Sequence, residues 1–394
     1  MKVYAVIGAN FGDEGKGKMV DYLCSKHPNA LVIRFNGGAQ AGHTVKLKDG
    51  KRHVFHHFGS GTLRGHASHF AGPCIVNPLV FQKEYKELEQ KGINPKLTVS
   101  FTCEVTCPYD MIFNVELNRA NGHGSCGLGI RESVIRRNMA VANDSPSTLL
   151  FGHLANNAEI DKFLNYYRGI YLYERLEQTG LKPSDSFWHK IHSTTIADQF
   201  KEACKFIVDH TYIREPTSLI RNHFLMHTDP EVIIYEGAQG LLLDQRNKEF
   251  FPHLTPSNTG IRNVLDDTSW YHFDDAEFIY TSRAYTTRHG NGPFPWYVEG
   301  LLYPDDTNVH NEHQGTMRFG TLDTNALFEQ INKDVSNEVL LDIPGKNIKP
   351  SIVTAITCMD QVDLETKERI LSARGLETKY ISYGPTAEET VEIK

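Results

Sequence analysis

The 394-residue chain has no stretch of about 18 consecutive apolar residues, so hydropathy gives no membrane-spanning helix. The apolar run Val3 to Ile7 is too short for the core of a signal peptide, and the expectation is a cytoplasmic protein. Cysteine is scarce. The seven residues (Cys24, Cys74, Cys103, Cys107, Cys126, Cys204, Cys358) are odd in number and scattered, which fits reduced thiols better than a disulfide framework. Cys103 and Cys107 lack the downstream partner pair that a zinc site needs. An excess of positive charge is also missing: 41 Lys+Arg against 48 Asp+Glu leaves a net charge of −7. That balance argues against non-specific nucleic-acid binding and leaves room for a local cationic pocket that takes a small anion. No internal repeat, low-complexity tract or Pro/Ser-rich linker divides the chain, so residues 1–394 read as one domain.

What is present is a pattern of short apolar runs that end in glycine loops. Lys2 to Ile7 reads as a buried strand and is followed by Gly12-Asp-Glu-Gly-Lys-Gly-Lys18 and a helical stretch through Val20, Leu23 and Cys24. Leu31 to Phe35 reads as a second strand, ending in Asn36-Gly-Gly-Ala-Gln-Ala-Gly-His-Thr44. Strand, glycine loop, helix, strand predicts an α/β fold with a mostly parallel central sheet and flanking helices, its loops gathered at the carboxyl ends of the strands. Further expectations are a helix over 79–91 and one alternating strand over 96–105. Strands are also expected at 232–235, 277–285, 351–357 and 380–383. Residues 139–230 carry apolar and aromatic residues at helical spacing, among them Phe163, Tyr167, Tyr171, Phe200 and Ile207, and predict a helical insertion. Its tyrosines Tyr166, Tyr167, Tyr171 and Tyr173 are read as core or interface packing in preference to base stacking.

The loop 12–18 lets backbone amides approach a polyphosphate and adds the cations Lys16 and Lys18 ahead of a helix N-terminus. It departs from the standard G-x-x-x-x-G-K-[ST] loop, because Asn10 stands where the first glycine belongs and Gly17 where the Mg²⁺-binding hydroxyl belongs. A glycine-rich turn with solvated charges is the bland alternative. Asp13 places a carboxylate among expected phosphates, which makes chemical sense if it holds Mg²⁺ or takes a proton. His43 follows a buried strand and a glycine, with a reference pKa of about 6.5 that suits a proton donor near a transferred phosphoryl group. Thr357-Cys-Met-Asp360 puts a carboxylate after a strand, where it can accept both guanine N1–H and the 2-amino group; a helix N-cap explains those four residues equally well.

Taken together, GDEGKGK, AGHT, Glu236-Gly-Ala-Gln-Gly240, the segment Thr287-Arg-His-Gly-Asn-Gly-Pro-Phe-Pro295, Leu322-Asp323 and Ile381-Ser-Tyr-Gly-Pro385 resemble the adenylosuccinate synthetase family in the family's order, over about residues 1–138 and 231–394. The resemblance implies a P-loop-NTPase-like fold and a GTP- and Mg²⁺-dependent ligase that joins aspartate to inosine monophosphate (IMP). It implies Asp13 as the base at N1 of IMP and a Mg²⁺ ligand, His43 as the acid, Gln239 at the 6-oxygen, and the Gly42 carbonyl on Mg²⁺. Gly12, Asp13, Glu14, Gly15, Lys16, Gly17 and Lys18, with Gly42, His43 and Thr44, would surround the GTP phosphates. Asp360 would read guanine, and Ser382 to Gly384 would cover the base. Asp13, Lys16, Gln40, Ala41, Ser125, Cys126, Arg136, Gln239 and Thr255 would take IMP, Thr255 on its phosphate. Arg136 would serve the neighbouring subunit's IMP, which implies a homodimer. Thr316 and Arg318 would take the amino acid.

Several positions depart from the family pattern. The segment Gln314 to Gly320 is about four residues shorter than the family's threonine- and arginine-rich loop. Cys358 stands where lysine is usual, Cys126 for threonine, Leu128 for arginine, and the segment between Asp360 and Gly384 is short, as in archaeal- or phage-like branches. A related ligase acting on (d)GMP or another amino acid is the alternative, as is a guanine-nucleotide-binding homologue altered in catalysis. Phage relatives that use dGMP characteristically lose the aspartate of GDEGKGK. Retention of Asp13 favours IMP over dGMP, and retention of Asp13, His43 and Gln239 together speaks against a mere nucleotide binder.

Overall fold

In the computed structural model the described residues are 1–122, 125–143, 145, 148–214, 230–268, 273–305, 315–337 and 350–393. Among them ten strands form one sheet. In chain order these are β1 (Lys2–Gly8), β2 (Ala30–Arg34), β3 (Ala67–Phe70), β4 (Leu97–Ser100), β5 (Tyr212–Arg214), β6 (Val232–Gly240), β7 (Asp275–Arg283), β8 (Ser351–Thr357), β9 (Thr378–Ser382) and β10 (Thr390–Glu392). Across the sheet they run β10-β9-β8-β7-β1-β6-β2-β3-β4-β5. Neighbours are parallel except β9 with β10.

A parallel sheet needs cover on both faces, and the two-residue alternation of β1 meets that need. Val3, Ala5 and Ile7 enter one core with Ile233, Phe278 and Ile356. Tyr4 and Val6 enter the opposite core with Val20 and Leu23 of helix α1 (Lys16–Lys26). Since β1, β2, β6, β7, β8 and β9 point the same way, the loops that leave them emerge along one edge of the sheet.

A third core belongs to the helices at the β4–β5 end. It joins Phe81 and Tyr85 of α2 (Pro78–Gln90), Tyr109 and Phe113 of α3 (Pro108–Asn121), and Phe163, Tyr167, Tyr171 and Phe200. Tyr167 and Tyr171 are core residues, and Tyr173 is exposed and stacks on Trp188. Helix α4 (Ile130–Asn143) begins ahead of residue 139. The stretch read as helical also contributes β5, which pairs with β4. Three residues are too few for their periodicity to announce a strand. Residues 144, 146–147 and 215–229 of that stretch lie outside the described residues.

Two expected strands are broken. The run 96–105 splits into β4 and a two-residue strand, Glu104–Val105, because β3 stops pairing at Phe70 opposite Val99; Phe101, expected beside Leu97 and Val99, is exposed. The run 277–285 breaks at Ala284, after which Tyr285–Arg288 pairs antiparallel with Arg318–Thr321. Among the described residues no helix is long and apolar enough to cross a membrane.

Candidate active site

The loop after β1 is held by its own carboxylate. Glu14 Oε1 accepts the backbone N–H groups of Asn10 at 2.5 Å and Gly12 at 3.2 Å, and its Oε2 accepts from Lys16 Nζ at 2.9 Å. The loop amides and the lysine therefore already meet an anion, of the kind a phosphate would supply. Gly17 shows why the usual hydroxyl residue is missing: a Cβ there would lie 2.9 Å from His43 Cβ and 3.0 Å from Ser60 Oγ. Lys18 is buried and donates to the Gly384 carbonyl at 2.9 Å, with burial pulling its pKa down.

His43 opens a short hairpin, His43–Lys46 paired with Arg52–Phe55. Its Nδ1 lies 2.5 Å from Glu236 Oε1 on β6, and Ser60 gives that carboxylate both its hydroxyl and its backbone N–H. Burial and then the Arg34 charge lower the His43 pKa to about 4, with Glu236 pulling the other way. Burial opposes ionisation of Glu236, but His43, Arg34 and Ser60 outweigh it and hold the carboxyl at about 2. The ligand-free arrangement is thus a carboxylate accepting the Nδ1 proton of a neutral imidazole.

These groups open onto one cavity of about 660 Å³ along the carboxyl edge of the sheet. Residues 12–18 and 40–44 line it, with Ser125, Cys126, Gln239, Thr255, Cys358, Asp360 and Gly384. Among the described residues, the three non-glycine residues with positive φ are Asp13 (59°), Gln239 (66°) and Cys358 (59°), and all three line this cavity. Strained backbone of this kind is held at functional sites by surrounding structure. The carboxamide of Gln40 is buried there, with neither its oxygen nor its nitrogen hydrogen-bonded within the described residues. A buried amide without partners is a group that a polar ligand would satisfy.

Four expected site residues do not line the cavity. Arg136 is fully buried, with Nη1 2.8 Å from Glu104 and Nη2 3.0 Å from Asp110, over the Phe163 ring. In this ligand-free arrangement two carboxylates of its own chain hold the guanidinium away from the cavity, apart from the role that the family resemblance implied for it. Arg318 Nη2 donates to the carbonyls of Gly290 and Gly292, both at 2.6 Å, and so ties down a loop that lines the cavity without lining it itself. Thr316 is exposed outside the cavity, and Gln314 lies outside the described residues. Ser382 is buried and donates to the Gly384 carbonyl at 3.1 Å.

The cavity also holds residues that sequence reasoning left unassigned. Arg283 Nε donates to the Asp13 carbonyl at 2.5 Å and its Nη2 pairs with Asp305 at 2.9 Å. His289 Nε2 lies 3.4 Å from Asp13 Oδ2. Arg288 and His289 stood inside the Thr287–Pro295 motif, so that motif was the available signal; Arg131, on the first turn of α4, had none beyond following the loop 125–129. Among the described residues no group of three or more His, Cys, Asp or Glu side chains can hold a metal alone. Asp13 and Gly42 both line the cavity, and a carboxylate and a backbone carbonyl are hard oxygen donors, a set that fits Mg²⁺ when phosphates and water supply the rest.

A family model described as adenylosuccinate synthetase matches residues 5–341. The chain is 28% identical over 352 residues to the adenylosuccinate synthetase of Hydrogenobaculum sp. (strain Y04AAS1), covering 86% of this chain and 78% of that protein. It is 31% identical over 328 residues to adenylosuccinate synthetase 1 of Pseudoalteromonas translucida, covering 80% and 68%. The fully ligated adenylosuccinate synthetase from Plasmodium falciparum shares the fold at a TM-score of 0.70 and 17% identity, over 100% of both chains. Cyanophage S-2L succinoaminodeoxyadenylate synthetase, bound to dGMP and dATP, does so at 0.64 and 17%, over 99% of this chain and 95% of that one. With the family model spanning most of its length and the α/β sheet and cavity described above, the chain belongs to the adenylosuccinate synthetase family and is a ligase of that class.

Proposed function

We propose that this chain uses GTP to join L-aspartate to IMP, giving adenylosuccinate, GDP and phosphate. The observation that carries the reading is the convergence of Asp13, His43 and Gln239, from three different strand ends, on the cavity that also contains the glycine loop and Lys16. The 6-oxygen of IMP is a poor leaving group, so the first step transfers the γ-phosphoryl group of GTP to it and the second lets the aspartate amine displace phosphate from C6. Asp13 takes the proton from N1, which makes the 6-oxygen nucleophilic; Gln239 positions that oxygen. Lys16 exchanges Glu14 for phosphate oxygens. His43, backed by Glu236, gains its second proton when the phosphate charge enters and donates a hydrogen bond to the group in transfer. Asp360 accepts from guanine N1–H and the 2-amino group. Mg²⁺ would be held by Asp13 and Gly42 and, when bound, neutralises phosphate charge. A homodimer is part of this reading on family grounds.

The test is turnover of purified protein with GTP, Mg²⁺, IMP and aspartate, read as phosphate release and as an N6-substituted product. Arms with dGMP for IMP, with ATP or dATP for GTP, and with other amino acids for aspartate settle the specificities. Phosphate release indifferent to IMP, or absence of turnover with every combination, contradicts the proposal.

A further inference from the structure

We propose that Arg131 binds the 5′-phosphate of the purine mononucleotide within the same chain; this rests on the ligase reading above. Three observations carry it. First, Arg131 is fixed at the cavity wall: its Nη2 donates to the carbonyls of Pro252 at 3.0 Å and Leu254 at 2.9 Å, on the loop that carries Thr255, and both Arg131 and Thr255 line the cavity. Second, it is half-buried and forms no ion pair with a carboxylate among the described residues. Burial lowers its pKa, with the Glu132 charge opposing only in part. Its Nε and Nη1 make no hydrogen bond among the described residues, which leaves donors in the planar fork that suits phosphate.

Third, of the other guanidinium groups nearby, those of Arg136 and Arg318 do not line the cavity and that of Arg288 packs on an aromatic ring. Arg136 lies between Glu104 and Asp110, Arg318 holds Gly290 and Gly292, and Arg288 donates to Pro293 and His253 while its guanidinium sits 4.1 Å from the Phe11 ring centre. The segment before Arg131 is rigidly held. Ser125 Oγ donates to Asn114 Oδ1 at 2.9 Å, Asn118 Nδ2 donates to the Ser125 carbonyl at 3.2 Å, and the Gly129 N–H reaches Asn114 Oδ1 at 3.4 Å. The arginine therefore stands at the end of a preformed loop.

Calorimetric titration of IMP, dGMP, inosine and GTP into wild type, Arg131→Ala and Arg131→Lys tests this. Loss of charge-assisted hydrogen bonds to phosphate is expected to weaken IMP binding by about 10- to 100-fold in Arg131→Ala, with partial recovery in Arg131→Lys. Binding of inosine, which lacks the phosphate, and of GTP stays at the wild-type level, and Arg131→Ala still weakens IMP binding in a Thr255→Ala background, where a latch acting only through Thr255 would add nothing. Unchanged IMP affinity in Arg131→Ala, or equal losses for IMP, inosine and GTP, overturns the proposal. Failure of wild type to bind IMP or dGMP overturns the mononucleotide reading of the cavity as well. Mixing Arg131→Ala with Asp13→Ala protein is expected to restore no activity; restored turnover would show Arg131 serving a partner's site and overturn the same-chain assignment.

Discussion

His43 Nδ1 and Glu236 Oε1 lie 2.5 Å apart across 193 residues of sequence, with Ser60 donating twice to the same carboxylate. Burial and Arg34 hold the imidazole pKa at about 4 in the ligand-free chain. The unfolded value is about 6.5, so as pH falls the unfolded chain binds this proton first. The contribution of neutral His43 to stability is fully present above about pH 6.5 and is lost between there and about pH 4, to a maximum of roughly 3 kcal/mol. NMR titration of the His43 ring is expected to show it neutral to about pH 4; a midpoint near 6.5 would contradict this geometry. Adding GTP is expected to draw a proton onto the ring, which calorimetry in buffers of different ionisation enthalpy reads as proton uptake.

Lys16 and Glu14 form a buried pair, with side chains 3% and 2% exposed. Removing one partner leaves the other charge unpaired, which costs about 3–5 kcal/mol in such pairs. Lys16→Ala is expected to lower the unfolding free energy by that amount, seen as a lower chemical-denaturation midpoint, and to abolish the stabilisation that GTP gives wild type. An unchanged midpoint would mean that Glu14 finds other partners.

Gly17→Ser restores the hydroxyl of a standard phosphate loop, yet its Cβ falls within 3.0 Å of His43 Cβ and Ser60 Oγ. Displacing His43 by even about 1 Å is expected to lower kcat about 100-fold. Faster turnover in Gly17→Ser would remove the steric explanation for the glycine.

Arg136→Met leaves Glu104 and Asp110 without their buried cation. The expected result is a loss of about 3–5 kcal/mol in folding stability, with little change in the KM for IMP in whatever protein remains folded. A stable variant with a greatly raised KM would return Arg136 to the nucleotide site.

The parts of this protein that were legible in the sequence are local ones. β1, β2 and β8 are buried on both faces and so appear as continuous apolar runs ending at turns, and Asp13, Lys16 and His43 sit inside short motifs with chemical meaning. What was not legible depends on distant pairing. Nothing near Glu236 announces that it backs His43, and Arg136 and Arg131, five positions apart on one helix, look alike until folding encloses the first and leaves the second at the cavity wall. β5 was missed because three residues carry no period, and the strand expected through 101 fails because its neighbour β3 has already ended.

In the proposed reaction, phosphate is transferred to the purine 6-oxygen before the amine arrives. Turnover of IMP labelled with ¹⁸O at that position, in the presence of GTP, Mg²⁺ and aspartate, is followed by mass analysis of the released phosphate. The account requires one ¹⁸O atom in each phosphate, with transfer abolished in a folded Asp13→Ala variant; unlabelled phosphate, or labelled phosphate from Asp13→Ala at the wild-type rate, would contradict it.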